Sequence, residues 1–249
     1  MTSGEARRVL GIDEAGRGAV IGPLVICGVV CREDRAENLT AAGIKESKCL
    51  KPDERTRACE AARCHIEDLL YIVLTPQEID RGVRTHQLNV LEARGIAAII
   101  NTLEPDLVII DSVERVRPDA VEAGLGIRNF RHLIEALVQR NVPIIAENHA
   151  DMNYPVVAAA SVYAKVKRDE LVASLYEKYG EDFGSGYPTK RTFAFLVEYF
   201  REHHRFPEDM RSNWKTRRKI EEYLTQHGLP EFFPGEFRDP GQEKEPRDE

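Results

Sequence analysis

Apolar residues fall into short runs along this chain, and acids stand at the ends of several of them. Val9, Leu10 and Ile12 head the first run, which carries Asp13 and Glu14 where a strand should be most buried. Gly16-Arg17-Gly18 follows, and a second apolar run covers 20–31. The pattern predicts strands over 8–13 and 20–31, joined as a hairpin by the glycine-rich turn. Pro52 suits a first helical turn, and a helix is expected to about Leu70, then a short strand over Tyr71–Leu74. Thr75-Pro76-Gln77-Glu78 has the form of a capping box opening a short helix that ends near Gly82. Leu88, Leu91, Ile96, Ile99, Ile100 and Leu103 recur at helical spacing over 87–103.

Leu107–Ile110 is a buried-strand run that ends at Asp111, and Val142–Ala146 is another, followed closely by Asp151. Helices are expected over about 129–140, 156–179, 189–203 and 211–224, with the loop 183–188 between the second and third. The tail from Pro234 is rich in proline, glycine and charge and is expected to be disordered. Three strands first, then strands alternating with helices, predict an α/β domain with a mixed central sheet flanked by helices. The expected division is a catalytic domain over 1–185, a C-terminal helical substrate-binding region over 186–225 and a flexible tail over 226–249.

Composition narrows the function. No apolar run approaches the roughly 20 residues of a membrane span. Met1 to Arg8 lacks the apolar core of a secretory leader, so a cytoplasmic location is expected. Five cysteines form no C-x-x-C pair and read as reduced thiols, which speaks against zinc. The net charge of −7 argues mildly against a nucleic-acid partner, but its distribution argues the other way. Between Gly186 and Lys219, nine Lys/Arg stand against four acids, with His203, His204 and Trp214 among them. Such a block suits either a phosphate backbone or a solvated helix face.

Buried carboxylates are costly unless paired or metal-bound. Asp13 and Glu14 could be exposed acids of a hairpin turn, and Asp111 alone could be a helix cap. Asp13, Glu14, Asp111 and Asp151 together, gathered at strand ends, point instead to a shared hard-cation site. Carboxylate oxygens suit Mg²⁺ or Mn²⁺. No G-x-x-x-x-G-K-[ST] loop is present, which argues against a phosphotransfer enzyme.

From about residue 8 to 224 the chain resembles the ribonuclease HII family in its archaeal form. The motifs are Gly11-Ile-Asp-Glu-Ala-Gly-Arg-Gly18, Asp111 after its strand, Ala150-Asp151, and Tyr154-Pro155 leading to Ser161. Ala164-Lys165-Val-Lys-Arg-Asp169, Gly184-Ser-Gly-Tyr-Pro188 and Trp214-Lys-Thr216 complete them. The resemblance implies a ribonuclease H-like fold and hydrolysis of the RNA strand in RNA/DNA hybrids. It also implies cutting on the 5′ side of single ribonucleotides in duplex DNA, leaving 3′-hydroxyl and 5′-phosphate ends. Asp13, Glu14, Asp111 and Asp151 match the carboxylates that hold two Mg²⁺ or Mn²⁺ ions in that family, and Asp169 matches an accessory acid. Asp169 reads equally as a surface acid paired with Lys165. Gly16, Arg17, Gly18 and Tyr187 match the residues around the ribose 2′-hydroxyl, and Lys48 a phosphate-binding loop.

Two positions depart from the family pattern. Glu46 replaces an aspartate before Ser47-Lys48, and His149 replaces a lysine before Ala150-Asp151. His149 raises the expectation of activity that varies with pH near neutrality. Beyond the resemblance, Gln226-x-x-Leu229-x-x-Phe232-Phe233 has the pattern of a sliding-clamp peptide. Leu229, Phe232 and Phe233 would fill a hydrophobic pocket, beside which Gln226 would hydrogen-bond; packing of the aromatics back onto the domain is the other reading. The expected partners are hybrid or ribonucleotide-containing duplexes and a clamp, and the expected state is a monomer. A resolvase-like nuclease of the same superfamily and a non-catalytic hybrid-binding clamp adaptor remain the alternatives.

Overall fold

The structure, a computed structural model, describes residues 6–45, 47–111, 129–213 and 215–226. Five strands form one mixed sheet in the order β3-β2-β1-β4-β5. They are β1 (Arg8–Ala15), β2 (Leu24–Arg32), β3 (Asp68–Leu74), β4 (Leu107–Asp111) and β5 (Ile144–Glu147). β1, β2 and β3 are antiparallel, whereas β4 and β5 run parallel to β1. The helices are α1 (Ala36–Ala41), α2 (Pro52–Ala62), α3 (Pro76–Arg84), α4 (Leu88–Leu103) and α5 (Phe130–Leu137). After β5 come α6 (Ala150–Asn153), α7 (Pro155–Tyr179), α8 (Lys190–His203) and α9 (Lys215–Gln226). This is the expected α/β class, a mixed central sheet flanked by helices. No described helix is long and apolar enough to cross a membrane, and all five cysteines are free thiols.

Alternation along β1 divides two cores. Leu10 and Ile12 face α4 and α5 in one cluster; Val9 and Ala15 face α7 in the other. The first half of α7 is rich in alanine, so its backbone can lie close over β1. A third cluster, with Phe183, Phe195, Phe200, Ile220 and Leu224, joins the end of α7 to α8 and α9.

Three boundaries differ by four residues or more from those expected. The second strand begins at Leu24 rather than residue 20, because Val20 and Ile21 leave the sheet for the third cluster, where Ile21 bridges Met210. The helix from Pro52 ends at Ala62 rather than Leu70, and β3 begins at Asp68. Residues 68–70 pair with Gly28–Val30 of β2, so ladder bonds and packing override local helical preference. The last helix begins at Lys215 rather than Arg211; Arg211 is buried and spends its donors on the carbonyls of Gly22 and Arg17.

Candidate active site

Register brings the acids together. β1 and β4 are parallel with Ile12 opposite Ile110, so the next residues, Asp13 and Asp111, stand side by side on one face. β4 pairs with β5 with Asp111 opposite Glu147. Just beyond, His149 takes a left-handed turn (φ 59°) into α6, and this places Asp151 in the first helical turn. One carboxylate oxygen from each of Asp13, Asp111 and Asp151 lies within 4.8 Å of the others. Glu14 is next to this group but on the other face of β1, where Glu92 and Arg17 are its charged neighbours.

The site is expensive without a cation. Burial, with Asp111 close by, pushes the Asp13 carboxyl up to about 6, against the pull of a Ser161 hydrogen bond and Lys165. Burial pushes Glu14 well up, and Asp13 and Glu92 push the same way. Asp111 is raised by burial and then by Asp151, while the amides of Ala150 and His149 donate to it and oppose the rise. Asp13 and Asp111 resist ionisation, and together with Asp151 they form an all-oxygen donor set suited to a divalent ion. Ligand carboxylates must shed their protons to bind, so metal and charge belong together here.

A polar chain supports Asp13 from behind. Ser161 on α7 bonds it, Ser161 Oγ lies 2.9 Å from Ser47 Oγ, and Lys165 Nζ donates to Ser47 (2.6 Å) and Ser161 (2.8 Å). Ser161 and Lys165 are four apart on one helix face, the only local hint that they act together. Asp169 is outside the acid group; its carboxylate pairs with Arg55 of α2 at 3.4 Å. Lys48 lies in the turn Ser47–Cys49, but its side chain is outside the described residues, as are Glu46, Trp214, Leu229, Phe232 and Phe233. Gln226 is the exposed last residue of α9.

Three residues past Asp13, the glycine turn meets the distal tyrosine. The Gly16 N–H donates to Tyr187 Oη at 3.0 Å. Gly18 is exposed beside the ring, and a Cβ built there would lie 3.9 Å from Tyr187 Cε1. The Arg17 guanidinium turns the other way, donating to Glu92 (2.9 Å) and Asn89 (3.0 Å) on α4. What the turn presents beside the ring is therefore backbone, while Arg17 secures it to α4. Glu92 had no signal in the sequence beyond being an acid within an apolar helical pattern.

The chain is similar to known proteins of one family. Residues 10–217 match the family model of ribonuclease HII. The ribonuclease HII of Pyrococcus furiosus is 40% identical over 233 residues, covering 91% of this chain and 98% of that protein. The crystal structure of ribonuclease H2 from Pyrococcus horikoshii superposes with a TM-score of 0.75 at 40% identity, over 88% of this chain and 99% of that one. A structure of the PCNA:RNase HII complex from Archaeoglobus fulgidus matches with a TM-score of 0.70 at 36% identity, over 85% of this chain and 96% of that one.

Proposed function

The chain belongs to the ribonuclease HII family and is a hydrolytic ribonuclease of the RNase H class; from that premise we propose which bonds it cuts and with which residues. It cleaves the RNA strand of RNA/DNA hybrids and cuts on the 5′ side of a ribonucleotide embedded in duplex DNA, leaving 3′-hydroxyl and 5′-phosphate ends. The observation that carries this reading is adjacency: the Asp13, Asp111 and Asp151 oxygens converge within 4.8 Å, and the Gly16–Tyr187 contact begins three residues further along the chain.

Asp13, Asp111 and Asp151 are the proposed ligands of two Mg²⁺ or Mn²⁺ ions, with Glu14, on the other face of β1, as the fourth acid beside them. Bound there, the ions would supply an activated water near neutral pH and neutralise charge on the leaving oxygen. The protein's own part is placement. Ser161 and Lys165 hold the Asp13 carboxylate, and the His149 and Ala150 amides aim that of Asp111. Asp169, paired with Arg55, acts as an accessory acid beside the site. The backbone of Gly16, Arg17 and Gly18 and the ring and hydroxyl of Tyr187 read the ribose, because the 2′-hydroxyl is what distinguishes RNA from DNA. Lys48 and the basic residues of α8 and α9 follow the phosphate backbone.

A labelled DNA duplex bearing one ribonucleotide, incubated with Mg²⁺ or Mn²⁺, tests this. A single cut on the 5′ side of the ribonucleotide is expected. Equal cutting of an all-DNA duplex would return the resolvase-like alternative, and binding without cutting the adaptor.

We also propose a clamp contact through Gln226, Leu229, Phe232 and Phe233, supported by the residue pattern and by the clamp complex of the Archaeoglobus fulgidus relative. Paired aromatics are the residue type that fills interface pockets. In a pull-down with the cognate clamp, Phe232→Ala/Phe233→Ala is expected to lose retention; retention equal to wild type would remove the contact.

A further inference from the structure

Behind the glycine turn lies Arg168, a buried residue of α7. Its donors fan out to three carbonyls: Nε to Pro23 (3.2 Å), Nη1 to Ser185 (2.9 Å) and Nη2 to Ile21 (3.3 Å). Its guanidinium carbon also sits 4.9 Å from the centroid of the Tyr187 ring. Pro23 and Ile21 belong to the loop after β1, and Ser185 to the loop that carries Tyr187. One planar fork thus bonds both loops and backs the aromatic ring.

The glycines on either side are shaped around this side chain. Gly16 and Gly186 both hold positive φ (95° and 75°). A Cβ on Gly16 would collide with Arg168 Nε and lie 2.6 Å from its Cδ; on Gly186 it would lie 3.3 Å from Nη2 and 2.5 Å from the Ile21 carbonyl. The loops also bond each other directly, Val20 N–H (2.7 Å) and Ile21 N–H (3.1 Å) both donating to the Gly186 carbonyl. Burying a guanidinium against carbonyls is costly where an apolar side chain would fill the space, so its directional donors are its distinctive contribution.

We propose that Arg168 is a positioning residue for ribonucleotide recognition, fixing Tyr187 and the Gly16–Gly18 turn as one unit at a set distance from Asp13. The proposal rests on the reading of Tyr187 and the glycine turn as the ribose site. Lysine in its place keeps the charge, but a single nitrogen cannot span three diverging carbonyls or stack on the ring.

The test is a double-mutant cycle on the one-ribonucleotide duplex, measuring kcat/KM for wild type, Arg168→Lys, Tyr187→Ala and both together. Each single change is expected to cost about 100-fold, the scale of a misplaced reacting group, and the pair no more than Tyr187→Ala alone. The Mg²⁺-dependent thermal shift of Arg168→Lys should match wild type. A merely structural role would make the losses multiply, and that result overturns the proposal, as does Arg168→Lys cutting at the wild-type rate. Should the lysine variant not fold, Arg168→Met fills the same space without burying a charge and is read in the same way. Tyr187→Ala cutting at the wild-type rate would instead bring down the ribose-site reading itself, a result distinct from multiplied losses.

Discussion

Asp13→Asn is expected to cut cleavage by at least about a thousandfold while making the metal-free protein more stable. The loss follows from charge: a metal site contributes several kcal/mol to transition-state stabilisation, and each 1.36 kcal/mol is tenfold in rate. The gain follows from the same carboxyl in the empty site. Burial and Asp111 raise it to about 6 in the folded protein from an ordinary value of 3.8. Between about pH 4 and pH 6, then, the folded chain holds a proton the unfolded chain has released. A raised acid stabilises the fold below that window and loses this contribution as pH rises through it, a swing of roughly 3 kcal/mol for Asp13. Asparagine has no proton to lose. In EDTA, melting curves of wild type and Asp13→Asn should therefore lie close together near pH 4 and separate above about pH 6, with the variant higher. Millimolar Mg²⁺ should reverse the order near neutrality, because ligand carboxylates bind metal only when ionised. Parallel curves at every pH in EDTA, or an equal response to Mg²⁺, would remove Asp13 from the metal site.

Asp13 and Asp111 were legible because their positions depend on strand order and on little else. A carboxylate placed directly after an apolar run reports a strand end, and parallel pairing of β1 with β4 then sets Asp13 beside Asp111 without further information. The α/β class followed from the same runs. What the sequence concealed depends on contacts between distant segments. Residues 68–70 look helical until β2 offers them a ladder. Val20 and Ile21 look like strand until α8 and α9 provide an alternative core. Arg17 is an arginine in a glycine turn, and only the fold reveals that Glu92 and Asn89 hold its guanidinium. Ser161, Lys165 and Arg168 are ordinary polar positions on a long helix until that helix is laid over β1. Their roles arise from how closely it lies there, and that closeness is set by residues with almost no side chain.

Gly11 is the most demanding of those residues, and Gly11→Ala is expected to destabilise the fold by about 3 kcal/mol or more, at the upper end of overpacking costs. Its φ is not among the positive values, so alanine meets no backbone strain there. The obstacle is space: a Cβ would run into the carbonyl carbon and oxygen of Val156 and lie 2.6 Å from the Val157 nitrogen. These are backbone atoms in the first turn of α7, and no rotamer change can move them aside. The helix must lift from β1, which draws Ser161 away from Asp13 and disturbs Ala150 and Asp151 just before it. For a chain of this size the melting temperature should fall by roughly 6–12 °C, and residual activity at low temperature should fall with it. Gly180→Ala is the control. Gly180 has φ 69° at the end of α7 with nothing within 4 Å of a built Cβ, so only left-handed strain of about 1–2 kcal/mol applies and cleavage should be unchanged. Equal losses of stability in the two variants would mean that α7 yields readily, and that its tight seat on β1 does not hold the acids in place.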